Sequence, residues 1–162
     1  EHQDQAIKFL NDAVALQPQL TQAHFTLSQL YAGRNQLPQA IERARSTVRL
    51  VPTDIGALFQ LGLLLYQQES FAQARPVFEE AVRLAPNYSN ARYFLGLIYD
   101  RDARSAEALT QFEEIAKLNP DDAEIQAIIV ALREGKRAQD VLSEPPPEDR
   151  RDVPVEEAPP AP

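Results

Sequence analysis

Residues 55–86 read IGALFQLGLLLYQQESFAQARPVFEEAVRLAP. Leu58, Leu61-Gly62 and Leu65 mark its first half, and Ala74, Phe78, Ala81 and Pro86 its second. Sliding the chain by 34 residues brings much of this pattern back: Pro18, Pro52, Pro86 and Pro120 recur at that interval, as do Ala6, Ala40, Ala74 and Ala108, and Leu27, Leu61 and Leu95. Three columns that agree on one period mark stacked units, each unable to bury its apolar face alone.

Working outward, residues 1–17 place Ala6, Ile7, Leu10, Ala13, Val14 and Leu16 at helical spacing and stop before Pro18. In the repeat register this is the second helix of a unit. Part of its apolar face, with Ile7 and Val14, is expected to lack a partner. Helix pairs are predicted at 21–34 with 37–51, 55–68 with 71–85, and 89–102 with 105–119. Thr21 and Asp54 are candidate N-caps, and Pro76 is expected to kink its helix slightly. A last helix over 122–134 carries Ile125, Ile128, Ile129 and Leu132 on one stripe and ends at Gly135. It suits the end cap that a solenoid requires. Residues 136–142 are expected to add a turn that docks Val141 and Leu142 back.

The spacing W-x2-L-G-x2-Y…A-x3-F…P is that of tetratricopeptide repeats, which this chain resembles over residues 1–134. Leu58, Leu61, Gly62, Leu65, Ala74, Phe78, Ala81 and Pro86 carry the likeness best, followed by Leu95, Gly96, Tyr99, Ala108, Phe112 and Pro120. The first pair departs from it, with His24 as opener, Ser28 for the glycine, Ala44 for the phenylalanine and Thr47 for the later alanine. The resemblance implies an all-α fold, a right-handed α-solenoid of helix-turn-helix repeats with a C-terminal capping helix. We therefore divide the chain into a repeat domain over 1–142 and a disordered acidic, Pro-rich tail over 143–162. The domain comprises a half repeat 1–20, repeats 21–54, 55–88 and 89–122, and the capping helix 122–134. Small Gly62, Gly96, Ala40, Ala74 and Ala108 are expected where helices approach closely, with Leu27, Leu61, Leu95, Phe78 and Phe112 filling the layers between. Each complete leucine burial contributes about 1.5–3 kcal/mol.

Composition narrows the function classes. The net charge is −8, with 14 basic and 18 acidic residues in 1–142 and 2 against 6 in the tail. An array without a basic stripe is a poor nucleic-acid platform. There is no Cys for a thiol nucleophile or a Cys-ligated zinc. No apolar run reaches the roughly 18 residues that span a bilayer. No catalytic motif, phosphate-cradling loop or metal-ligand cluster stands out. We therefore expect no enzyme activity, no cofactor and no metal. His24 is read as a packing histidine. Glu79 and Glu113 are expected to pair four residues on with Arg83 and Lys117, and Arg43, Arg45 and Arg49 to form a solvated strip. With Glu first and no Met, the chain is expected to be a piece of a larger, bacterial protein. It is read as a soluble domain, cytoplasmic or tethered to a membrane by a segment elsewhere.

The resemblance places the first helix of each pair on the concave face. Its outward positions are Gln22, Phe25, Thr26 and Gln29, then Phe59, Gln60, Leu63 and Tyr66, then Asn90, Tyr93, Phe94, Leu97, Asp100 and Arg101. Phe25, Phe59 and Tyr93 again share the 34-residue interval and are expected to form an aromatic ladder. Repeats that hold the acidic C-terminus of heat-shock chaperones carry a lysine and asparagine clamp at such positions. Here Phe25 and Gln29, Phe59 and Leu63, and Tyr93 and Leu97 stand instead. The expectation is a non-enzymatic module that takes a peptide or helix of a partner protein into an apolar, aromatic groove. Two alternatives are a structural or self-assembly module acting through residues 1–17, and a regulatory appendage of an upstream enzyme or membrane domain.

Overall fold

A computed structural model describes residues 2–142. The expected tail at 143–162 lies outside the described residues. Among the described residues eight α-helices follow in order: α1 (His2–Leu16), α2 (Thr21–Ala32), α3 (Leu37–Leu50), α4 (Ile55–Gln67), α5 (Phe71–Leu84), α6 (Ser89–Arg101), α7 (Ser105–Leu118) and α8 (Ala123–Arg133), then a 3-10 turn at Ala138–Asp140. Helices α2, α4, α6 and α8 begin at 34-residue intervals, as do α3, α5 and α7. Each helix packs on its neighbours in the chain, both within a pair and from one pair to the next.

The recurring residues explain the pairing. Phe78 and Phe112 are fully buried, and each ring lies against a glycine of its partner helix. A Cβ at Gly62 would stand 2.6 Å from the Phe78 ring, and one at Gly96 2.8 Å from Phe112. The missing side chain on the first helix is the seat of the ring on the second. In the first pair the residue sizes are redistributed. Ser28 and Ala44 are both buried, and the Ser28 hydroxyl donates to the Ala40 carbonyl at 2.9 Å. The polar group introduced for glycine is thereby satisfied.

The helix starts are built as the sequence suggests, with one shift. Asp54 accepts from the Ala57 N–H at 3.0 Å, and Asp122 from Glu124 and Ile125, each at 3.1 Å. Thr21 is instead the first helical residue, Leu20 is the N-cap, and no side chain caps α2. Helix α5 continues through Pro76. The turns inside the pairs reverse through Asn35, Glu69 and Ala103, all at φ 56–58°, again 34 residues apart. Each is followed by an N–H that reaches back five residues, Gln36 to Tyr31, Ser70 to Leu65 and Arg104 to Tyr99, the Schellman closure of a helix end. Gly135 does the same after α8 at φ 73°.

The core is in two parts. The larger runs from α3 to α8 and the 3-10 turn and includes Leu58, Leu61, Phe78, Phe94, Phe112, Ile125 and Ile128. The smaller joins α1 to α2 through Ile7, Val14, Ala23 and Leu27. Ile7 and Val14, expected on an open face, are thus partnered inside the protein. The open residues of α1 are Phe9 and Leu16, 71% and 84% exposed. Asn11 fixes α1 further, donating to the Tyr31 hydroxyl at 3.0 Å and accepting from Arg43 at 3.0 Å.

Candidate functional site

The outward face of α2 remains accessible. Gln22 and Gln29 are exposed, and Phe25 and Thr26 half-buried. On α4, Phe59, Gln60, Leu63 and Tyr66 are all half-buried. The Gln60 amide donates to the Ser28 hydroxyl at 3.1 Å and so bridges the first two pairs.

Helix α6 differs, and here the expected groove is corrected. Asn90 is half-buried, but Tyr93, Phe94, Leu97 and Asp100 are 1%, 6%, 8% and 3% exposed. Tyr93 packs edge-on to Phe94 and Phe112, and its hydroxyl donates to Glu124 of α8 at 2.8 Å. Phe94 stacks on Phe78 with centroids 5.6 Å apart and meets Phe59 and Tyr66. Asp100 accepts from the Arg137 Nε at 3.1 Å and from the Ala138 N–H at 3.1 Å. The structure therefore shows no ladder through Phe25, Phe59 and Tyr93. Phe59 joins Phe78, Tyr88 and Phe94, while Tyr93 belongs to the layer beneath α8. Phe94 is covered from the preceding pair by Phe59, Tyr66 and Phe78, while α8 and the 3-10 turn engage Tyr93 and Asp100; α2 and α4 keep their outward edges.

At the end of α6 a feature appears that the sequence did not signal. The exposed Arg101 guanidinium lies 4.0 Å above the Phe71 ring, and Phe71 meets Tyr66 edge-on at 5.1 Å. Burial raises the Tyr66 pKa, and the nearby Arg101 charge partly offsets this. Phe71 and Arg101 border a cleft of about 430 Å³ with Glu69, Gln73 and Asp102. Asp102 is held there by Arg75 at 2.9 Å. A second cleft, about 510 Å³, lies between Gln126, Val130 and Glu134 and the Lys136, Asp140 and Val141 that follow α8.

The remaining polar candidates are structural. His24 is buried with its Nε2 2.9 Å from the Pro18 carbonyl, which ties α2 to the loop before it. The expected i, i+4 ion pairs are replaced by other partners. Arg83 binds Glu80 and Lys117 binds Glu114, both at i, i+3. Glu79 is thereby left to accept the Tyr99 hydroxyl at 2.9 Å and Glu113 to pair with Arg133 at 2.7 Å. Arg43, Arg45 and Arg49 donate to Asn11, Gln73 and Ser46. Among the described residues no group of three or more His, Cys, Asp or Glu could hold a metal, and no helix is long and apolar enough to cross a membrane.

Comparison with known proteins agrees with this geometry. The profile of the family described as Tetratricopeptide repeat matches residues 59–124. A search of curated proteins returns no match. Among solved structures, the crystal structure of MamA superposes with a TM-score of 0.75 at 24% identity, over 86% of this chain and 81% of that one. YrrB, described as a TPR protein with an unusual peptide-binding site, gives 0.74 at 22% identity, over 86% and 74%. A MamA fragment from Desulfovibrio magneticus RS-1 gives 0.72 at 20% identity, over 86% and 81%. At these identities the likeness is one of fold. The repeat columns, the 34-residue helix interval, the glycine-seated rings and the family match mark residues 59–124 as tetratricopeptide repeats.

Proposed function

We propose that this protein binds a peptide or helix of a partner protein along the outward face of its first helices, centred on α2 and α4. Tetratricopeptide repeat proteins act typically as non-catalytic interaction modules, and one structural neighbour is described as having a peptide-binding site. The observation that carries the reading is the contrast between helices. Phe25, Phe59, Leu63 and Tyr66 keep part of their apolar surface in solvent, while Tyr93, Phe94 and Leu97, 34 residues after Phe59, Gln60 and Leu63, are covered. A shortened groove remains: Gln22, Phe25, Thr26, Gln29, Phe59, Gln60, Leu63, Tyr66 and Asn90, with Arg101 at its rim. Half-buried apolar side chains on a rigid scaffold suit the anchors of a helix or extended peptide.

The test is selection of binders from a displayed peptide library, followed by titration of the soluble peptides. The melting temperature of Leu63→Glu, a position that also packs on the main core, is followed alongside; Phe25→Glu and Leu63→Glu are each expected to weaken binding by about tenfold or more. Leu118→Glu, on an exposed position of a second helix, leaves it unaltered. Peptides indifferent to Phe25→Glu and Leu63→Glu would sink the assignment. The exposed Phe9 and Leu16 of α1 support a second, compatible reading, in which residues 1–17 associate with another helix face.

A further inference from the structure

The aromatic residues between the second and third pairs form a run that ends on a charge. Tyr88 meets Phe59 edge-on at 5.3 Å, Phe59 meets Phe94 at 6.0 Å, Phe94 meets Tyr66 at 5.0 Å and Tyr66 meets Phe71 at 5.1 Å. The Arg101 guanidinium closes the run, 4.0 Å above the Phe71 ring. Phe94 is buried, but Phe59, Tyr66, Phe71 and Tyr88 keep part of their surface in solvent. Phe59, Leu63 and Tyr66 stand at i, i+4 and i+7 on α4 and so share one face. Arg101 is the last residue of α6, as Gln67, 34 residues earlier, is of α4. It therefore stands at one end of the apolar positions and not among them.

The charge of Arg101 is unspent among the described residues. The carboxylates nearest to it in the chain are taken by other cations: Asp102 by Arg75 at 2.9 Å, Glu107 by Arg104 at 2.6 Å and Asp100 by Arg137 at 3.1 Å. Glu79 accepts the Tyr99 hydroxyl and lies 3.7 Å from Arg75. Glu69 borders the same cleft as Arg101, yet among the described residues Arg101 pairs with no carboxylate and lies over the ring instead. A guanidinium stacked on a ring is held in plane and keeps its N–H edge clear of that ring. Such an edge matches a carboxylate through two parallel hydrogen bonds. The protein as a whole, at a net charge of −8, repels acidic ligands, so a carboxylate bound here answers to Arg101 and not to a general positive field. Arg101 also lies one turn beyond Leu97, outside the positions of the chaperone-tail clamp.

We propose that the peptide taken by the groove carries an aspartate or glutamate just beyond its apolar anchors, and that Arg101, braced by Phe71, receives that carboxylate; this rests on the reading of the groove as a peptide site. The apolar anchors against Phe59, Leu63 and Tyr66 supply most of the affinity. The carboxylate, held at one end, fixes the direction in which the peptide lies and excludes peptides with a cation there.

Selection from a displayed library of random peptides on the full 162-residue chain tests this, with Arg101→Gln, Arg101→Glu and Phe25→Glu as variants. Arg101 is exposed, so its variants are expected to fold, as circular dichroism checks. The selected peptides are expected to share an Asp or Glu at a fixed spacing from their apolar residues. For one such peptide in soluble form, Arg101→Gln and replacement of the peptide's acid by its amide should each weaken binding by about fivefold. The two changes together should cost no more than either alone. Arg101→Glu should reverse the preference, so that the same peptide with Lys in place of its acid binds this variant more tightly than wild type. Peptides that lose affinity on Phe25→Glu but share no acid, or acidic peptides indifferent to Arg101→Gln, overturn this inference and leave the groove standing. A library without binders, or peptides indifferent to Phe25→Glu and Leu63→Glu, overturns the groove and this inference with it.

Discussion

Replacing Gly62 by alanine should destabilise the array, although alanine is the better helix former. The substitution gains about 1 kcal/mol of helix propensity. Against this, the new Cβ would meet three atoms of the Phe78 ring at 2.6, 2.8 and 2.9 Å. Carbon atoms rest at about 3.5–4.0 Å, so the ring would have to retreat by most of an ångström. It has little room, being fully buried, stacked on Phe94 at 5.6 Å and tilted against Phe59 at 6.1 Å. Overpacking of this kind costs about 1–3 kcal/mol. A contact this short, against a ring held on two sides, belongs at the upper end. The expected net loss is about 1–2 kcal/mol, or roughly 2–8 °C in melting temperature.

Urea denaturation followed by circular dichroism reads the effect, and two further variants locate its cause. Gly33→Ala tests the opposite sign. Gly33 closes α2 at φ −61°, and its nearest prospective contact is 3.5 Å away. Alanine there should stabilise by about 0.4–1 kcal/mol through the unfolded chain. Phe78→Leu tests the partner. On that background Gly62→Ala should cost less than in wild type, with a coupling of about 1 kcal/mol. A Gly62→Ala protein as stable as wild type, or more so, would refute the idea that glycine is required there as the seat of a ring.

Ala103 sits in the left-handed region at φ 58°, so Ala103→Gly should raise stability by about 0.5–1 kcal/mol in the same denaturation assay. Asp54→Ala removes the cap on α4 and should cost about 1 kcal/mol, most of it restored by Asp54→Ser. Tyr93→Ala should cost about 3–5 kcal/mol by calorimetry, as a core truncation does, and so cannot serve as a neutral probe of binding. The Tyr99 phenol is pushed up to about 12, first by burial and then by its hydrogen bond to the Glu79 carboxylate and that group's charge. Between the ordinary tyrosine value and that one the folded state holds the proton and the unfolded state has lost it. This contribution is therefore intact below about pH 10 and lost as the pH rises towards 12, and Tyr99→Phe should flatten the alkaline limb of the stability curve.

Much of the fold was legible because the period multiplies weak signals. One leucine says little, but Leu27, Leu61 and Leu95 at one interval locate three helices at once. The site was less legible, because exposure on a first helix depends on which element packs over it later in the chain. Phe59 and Tyr93 share a column, yet Tyr93 is covered by α8 and bonded to Glu124. Nothing local to Tyr93 announces that. The Asp100 contact with Arg137 spans 37 residues and matches no column, so it had no signal. The turns were hidden for another reason. Asn35, Glu69 and Ala103 share a left-handed conformation that glycine usually marks, and none of them is glycine. The ion pairs stand at i, i+3 and not i, i+4, with Glu79 engaged by Tyr99 and Glu113 by Arg133.

One column pair shows how the repeats keep their packing density. Where the first helix has glycine, at Gly62 and Gly96, the second helix answers with Phe78 and Phe112. Where the first helix has the larger Ser28, the second shrinks to Ala44, and Ser28 spends its hydroxyl on the Ala40 carbonyl. Size on one helix is thus exchanged for size on the other, as dense packing requires.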